Sequence, residues 1–134
     1  MRTIVVAAAI LVEHDRVLVT QRKSGTHLGG AWEFPGGKVL CGEDPREGLR
    51  RELREEIGID VTVGEIVDVT FHRYDELGHA VLLLFFETTR SPGSPEPRAI
   101  DVAAVAWADG AALDPDRFPP ADVAVLRKVQ CRLA

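Results

Sequence analysis

The spacing of apolar residues changes period several times along this chain, and each change marks an element. Thr3 to Glu13 is an almost unbroken apolar run and reads as a buried strand. His14 to Arg16 is polar and reads as a turn, so Val17 to Gln21 is a second strand paired with the first. Lys23 to Gly30 is polar and glycine-containing, hence a loop. Trp32 to Lys38 reads as a short strand broken by a turn at Pro35-Gly36-Gly37. Leu49, Leu53 and Ile57 then recur every fourth residue, which predicts an amphipathic helix over Pro45 to Ile57. Pro45 is tolerated in its first turn, and Gly58 stops it. Val61 to Thr70 alternates and is rich in Val and Ile, so it is a strand. Ala80 to Glu87 is a continuous apolar run, expected to be a central strand buried on both faces. Ser91 to Arg98 carries three prolines and reads as a surface loop. Val102 to Trp107 is the last strand. Phe118-Pro119-Pro120 opens a final helix with Leu126, Val129 and Leu133 on one stripe. Strands interleaved with two helices, after a hairpin-like opening, point to the α/β class with a mixed sheet between helices.

Composition narrows the picture. The 134 residues fit one domain spanning 1–134 and can bury a core without a metal or disulfide staple. Sixteen Lys+Arg against 21 Asp+Glu give a net charge of −5, so a phosphate-tracking basic surface is excluded and nucleic acid is not the expected partner. Cys41 and Cys131 form neither a CxxC pair nor a zinc pattern and read as free thiols of a reducing cytoplasm. The apolar N-terminal run is followed directly by Glu13, His14 and Asp15. It has no cleavage region and is shorter than the ~18 residues a membrane helix needs, so neither export nor membrane insertion is expected.

The predicted helix concentrates the chemistry. Glu43, Asp44, Glu47, Glu52, Glu55 and Glu56 fall within 14 residues. At about 100° per residue, Glu52, Glu55 and Glu56 share roughly one third of the helix surface and border the Leu49–Leu53–Ile57 stripe. Like-charge pairs at i,i+3 and i,i+4 each cost about 0.2–0.5 kcal/mol in an isolated helix. One reading is a solvated face with pairs such as Glu47–Arg51 and Arg51–Glu55. The other is a set of converging oxygens beside the glycine pair, which hard divalent cations favour.

Written out, the stretch is Gly37-x5-Glu43-x7-Arg51-Glu52-Leu53-x-Glu55-Glu56-x-Gly58-Ile59. It resembles the Nudix box at all nine defined positions, over residues 37–59. Trp32 to Lys38 resembles the entry to that box in the MutT branch of the family, and Phe118 to Ala121 the approach to that branch's last helix. The resemblance implies a Nudix α/β/α sandwich. It also implies Mg²⁺-dependent hydrolysis of a small nucleoside triphosphate to monophosphate and pyrophosphate, with Mn²⁺ as a substitute ion. In the MutT branch the signature substrate is an oxidised guanine nucleotide, 8-oxo-dGTP. A (d)CTP or modified-pyrimidine pyrophosphohydrolase is the alternative, and a nucleotide-binding module that lost catalysis is a third reading. A cytoplasmic monomer acting in nucleotide-pool sanitation is expected.

The same resemblance distributes roles. Glu55 and Glu56 are the main metal ligands, joined by Glu52 and the Gly37 carbonyl. Glu43 pairs with Arg51 to position the cluster. The general base is Glu52 or Asp101, the latter in the loop before the last strand. Arg22 matches an arginine that contacts phosphate, and His27 is a substrate contact in the polar loop. Phe34, Tyr74, Ile4 and Val6 are candidate walls of a base pocket. Asp122 stands where the oxidised-guanine enzyme has an Asn. An ionised Asp only accepts hydrogen bonds, so it favours an edge that presents donors, such as the cytosine amino group or guanine N1–H with its amino group.

Overall fold

In the computed structural model, which describes residues 1–133, the first strand, β1 (Arg2–Glu13), feeds two cores at once. Ala7, Ala9 and Leu11 turn to one face of the sheet, and Ala8 and Ile10 to the other. Successive strand side chains point to opposite faces, so an unbroken apolar run is what a strand buried on both sides requires. A turn at His14 and Asp15, with φ of 51° and 60°, reverses the chain into β2 (Arg16–Gln21). Both central residues are left-handed, as two-residue hairpin turns demand. β3 (Trp32–Glu33) pairs with β2, and β4 (Gly36–Lys38) runs antiparallel to β1. β5 (Val61–Tyr74) is antiparallel to β6 (His79–Arg90), and β6 runs parallel to β1 from Arg2↔His79 to Leu11↔Thr88. β7 (Ala104–Ala108) closes on β2. The order β3-β2-β1-β6-β5 is mixed, as expected.

α1 (Pro45–Ile57) covers one face and α2 (Val123–Leu133) the other, giving the α/β/α sandwich. The Asp44 carboxylate caps α1 by accepting from the Arg46 N–H at 2.8 Å, and Gly58 ends it at φ 69°. Leu49, Leu53 and Ile57 are fully buried, and each contributes about 1.5–3 kcal/mol. This anchors the helix with its acidic flank at the edge of the sheet.

Several expectations need correction. Gly36 and Gly37 form no turn. They lie in β4 opposite Ala8 and Ala7, and neither has a positive φ. A Cβ at Gly36 would overlap the Ala7 carbonyl, and one at Gly37 the Glu52 side chain, so close approach explains both. β5 continues past Thr70 to Tyr74 through a bulged segment between Val63 and Asp68. β6 is next to the edge and not central, and Val81, Leu82 and Leu84 remain half-buried. The Phe118-Pro119-Pro120 segment precedes α2 and does not open it. A 3₁₀ turn, Pro120–Asp122, comes first. Glu47 pairs with Arg50 instead of Arg51. No helix among the described residues is long and apolar enough to cross a membrane.

Candidate active site

Three segments meet around one cavity: β4 with the acidic flank of α1, the loop after β2, and the 3₁₀ turn before α2. Its volume is about 450 Å³, within the ~300–1,000 Å³ usual for small-molecule sites. Arg22, Glu33, Glu52, Glu56, Tyr74 and Asp122 all line it.

At the α1 end, Arg51 organises the acids. Its Nε and Nη2 donate to the two carboxylate oxygens of Glu43 at 2.9 and 3.0 Å, a bidentate pair. Nη1 donates to Glu52 at 2.9 Å and reaches Glu55 at 3.4 Å. Nη2 also donates to the Lys38 carbonyl at 3.1 Å, tying α1 to the end of β4. Arg51 and the Leu40 N–H hold the Glu43 carboxyl down at about 2. Glu56 is the opposite case. Burial and the neighbouring Glu52 carboxylate push it up to about 9, with Glu33 and Asp101 adding to the repulsion. Glu55 points outward, 60% exposed, toward Arg51. Among the described residues no three acids, histidines or cysteines converge as a ready-made metal cage. Glu52 and Glu56 do converge beside Gly37, and a cation there would let both ionise. Two hard oxygen donors of this kind fit Mg²⁺ or Mn²⁺ and suit a soft metal poorly.

Asp101 is held differently. Its backbone N–H donates to the Glu56 carbonyl at 3.0 Å, which pins its loop to the end of α1. Its side chain is 67% exposed and accepts from Lys23 Nζ at 2.6 Å. It is not among the residues lining the cavity.

Asp122 lines the same cavity from the turn before α2. Only 4% of it is exposed. Burial, with the charge of Glu33, raises its carboxyl well above the usual range, against the pull of the Phe34 N–H and Arg22. The sequence leads one to expect an ionised, acceptor-only Asp122; burial acts against that form and toward a carboxyl that donates through O–H as well as accepting. Tyr74 lies nearby, with His27, His72 and His79 packed around its ring at centroid distances of 4.9, 4.6 and 5.9 Å. Phe34 is wholly buried against Phe85 and Phe118 while still forming part of the cavity wall, and Ile4 and Val6 line it too.

Arg22 Nη1 donates to Glu33 at 3.1 Å, and its Nε to the His27 carbonyl at 2.9 Å. Glu33 and Lys23 were not singled out from sequence. Glu33 lies in the two-residue strand β3 next to Trp32, too short a stretch for alternation to assign its face. Lys23 lies 78 residues from Asp101, and no local pattern announces that pairing.

Fold and site together define a hydrolase of the α/β/α sandwich class, with an acidic helix flanking its cavity. The NUDIX domain model matches residues 1–129, and the chain belongs to that family. It is a Nudix hydrolase. It is 43% identical over 84 residues to an 8-oxo-dGTP diphosphatase of Proteus vulgaris, covering 63% of this chain and 74% of that one. It is 49% identical over 67 residues to a CTP pyrophosphohydrolase of Escherichia coli, covering half of each chain. The solution structure of the E. coli ORF135 protein is 34% identical and superposes with a TM-score of 0.79 over 100% of this chain and 93% of that one.

Proposed function

We propose that this enzyme hydrolyses a modified nucleoside triphosphate to the monophosphate and pyrophosphate, with 8-oxo-dGTP as the leading substrate. The observation that carries the reading is a nucleotide-sized cavity lined by the mutually repelling Glu52 and Glu56 and also by buried Asp122. Relatives that act on 8-oxo-dGTP support the choice of base.

Glu52, Glu55, Glu56 and the Gly37 carbonyl are the groups that would hold Mg²⁺, with Glu55 turning inward from Arg51. The ion supplies charge neutralisation of the triphosphate and a more acidic bound water. Glu43 and Arg51 position Glu52. Glu52 serves as the proton acceptor, since it lines the cavity, whereas the Asp101 side chain is engaged by Lys23 outside it. Arg22 and His27 meet the substrate from the loop, Tyr74 and Phe34 wall the base, and Asp122 hydrogen-bonds its edge.

Cytosine nucleotides form a second reading. Asp122 favours it, because a carboxyl that both donates and accepts matches the amino group and ring nitrogen of cytosine as well as a guanine edge. The test is release of monophosphate and pyrophosphate from 8-oxo-dGTP, dGTP, dCTP and CTP, with Mg²⁺ and with EDTA. Highest kcat/KM on 8-oxo-dGTP supports the first reading and highest on CTP or dCTP the second. No release from any of them refutes both.

A further inference from the structure

The peptide group joining Ala121 to Asp122 is tied at both of its polar atoms. Its N–H, that of Asp122, donates to the Pro119 carbonyl at 2.9 Å. Its C=O, that of Ala121, accepts from the Thr70 hydroxyl of β5 at 2.9 Å. A peptide group is planar, so holding both atoms fixes the plane from which the Asp122 side chain springs. The first tie is local to the 3₁₀ turn, whereas the second reaches 51 residues back along the chain to the sheet.

Strand register explains how Thr70 comes to make that tie. In the β5–β6 ladder Thr70 stands opposite Leu83 and Tyr74 opposite His79, and Leu83, Tyr74 and His79 all line the cavity. Residues directly opposite share a face, so Thr70 belongs to the cavity face of the sheet. Val69 and Phe71 alternate to the other face, 47% and 58% exposed. Asp68, two residues earlier on the Thr70 face, accepts from Lys128 Nζ at 2.9 Å, in the body of α2. β5 therefore docks the C-terminal segment at two points, one on the helix and one on the turn. Ala121 and Asp122 line the cavity, and Asp68, Thr70 and Lys128 do not. A site keeps its selectivity only while its groups stay within ~0.5 Å of their working positions. We infer that Thr70 is a positioning residue: through the Ala121 carbonyl its hydroxyl sets where the Asp122 side chain stands, and so how sharply the enzyme separates one base from another. The inference rests on the base-reading role of Asp122 proposed above.

The test compares kcat/KM on 8-oxo-dGTP, dGTP, dCTP and CTP and reads the ratio between the best substrate and the next. Thr70→Val removes the hydroxyl and keeps the β-branched shape that suits a strand. It should lower that ratio about 3- to 10-fold, the factor that one lost hydrogen bond supports. Thr70→Ser keeps the donor and should stay within about twofold of the wild type. Thr70→Ala removes the same hydroxyl with less bulk and serves if the Val variant does not fold. Lys128→Met breaks the other docking point and should leave the ratio unchanged, whatever it does to Tm. In an Asp122→Ala background, Thr70→Val should change the ratio no further, because the group it positions is gone.

An unchanged ratio in both Thr70→Val and Thr70→Ala would overturn the inference. So would an equal fall in Lys128→Met, or a further fall in the Asp122→Ala background, since either marks general loosening of the C-terminal segment. An Asp122→Ala variant that keeps the wild-type ratio would refute the base-reading role itself, and this inference with it.

Discussion

Replacing Glu56 by Gln should stabilise the metal-free enzyme at neutral pH while abolishing its activity. Glu56 sits in the last turn of α1, with Glu52 beside it and the charges of Glu33 and Asp101 close by. In the unfolded chain its carboxyl titrates near 4.5, and in the folded chain it is pushed up to about 9. The folded state therefore keeps a proton that the unfolded state releases. Stability from this group is full below pH 4.5 and falls as pH rises toward 9, where the folded carboxyl finally ionises. At pH 7.5 the protonation gap is three units, an upper bound of ~4 kcal/mol at 1.36 kcal/mol per unit. Coupling to Glu52 and partial access to water reduce that to about 2 kcal/mol. At ~2.1 cal/mol/K per residue the unfolding entropy of this chain is about 0.28 kcal/mol/K, so 2 kcal/mol moves Tm by about 7 °C. Gln cannot ionise and carries no such slope. Melting curves in EDTA from pH 5 to 8.5 should therefore start together and diverge, with Glu56→Gln about 7 °C higher near pH 7.5. Added Mg²⁺ should close the gap by raising the wild type alone. Turnover of Glu56→Gln should drop by at least ~10²–10⁴-fold. Parallel pH profiles in EDTA, or near wild-type turnover in the variant, would refute the reasoning.

Other expectations follow from the same geometry. At one hundred times Kd, Mg²⁺ should add about 2.7 kcal/mol to wild-type stability, read as a rise in Tm by scanning calorimetry. Glu55→Gln should lose most activity with little change in Tm, since its side chain is exposed; near wild-type turnover would remove Glu55 from the metal site. Asp122→Ala should cost roughly 1–3 kcal/mol of discrimination between bases in kcat/KM, leaving metal dependence alone. Equal losses on all nucleotides would mark a structural role for Asp122 instead. Gly36→Ala should destabilise by ~1–3 kcal/mol or more in chemical denaturation, because its Cβ would overlap the Ala7 carbonyl.

The sequence made legible what local spacing encodes. Leu49, Leu53 and Ile57 set the face of α1, Gly58 its end, and the alternation through Ala7 to Leu11 the double-sided burial of β1. The carboxylates of the helix are equally local, and their spacing along α1 is read directly from the sequence. What stayed hidden depends on residues distant in the chain. Gly36 and Gly37 look like a turn because glycine pairs usually are, yet a backbone crossing from β1 and a side chain from α1 make them a strand. Asp122 lines the cavity, and the environment that acts on its carboxyl is not written in its own helix turn. The upward push on its carboxyl comes from burial and from Glu33 nearly ninety residues away. The distinction bears on substrate choice. An acceptor-only Asp would reject any base edge lacking donors, whereas a neutral carboxyl can rotate its O–H toward either kind of partner. Asp122→Asn, which keeps a donor and an acceptor, should therefore preserve more of the selectivity between bases than Asp122→Ala.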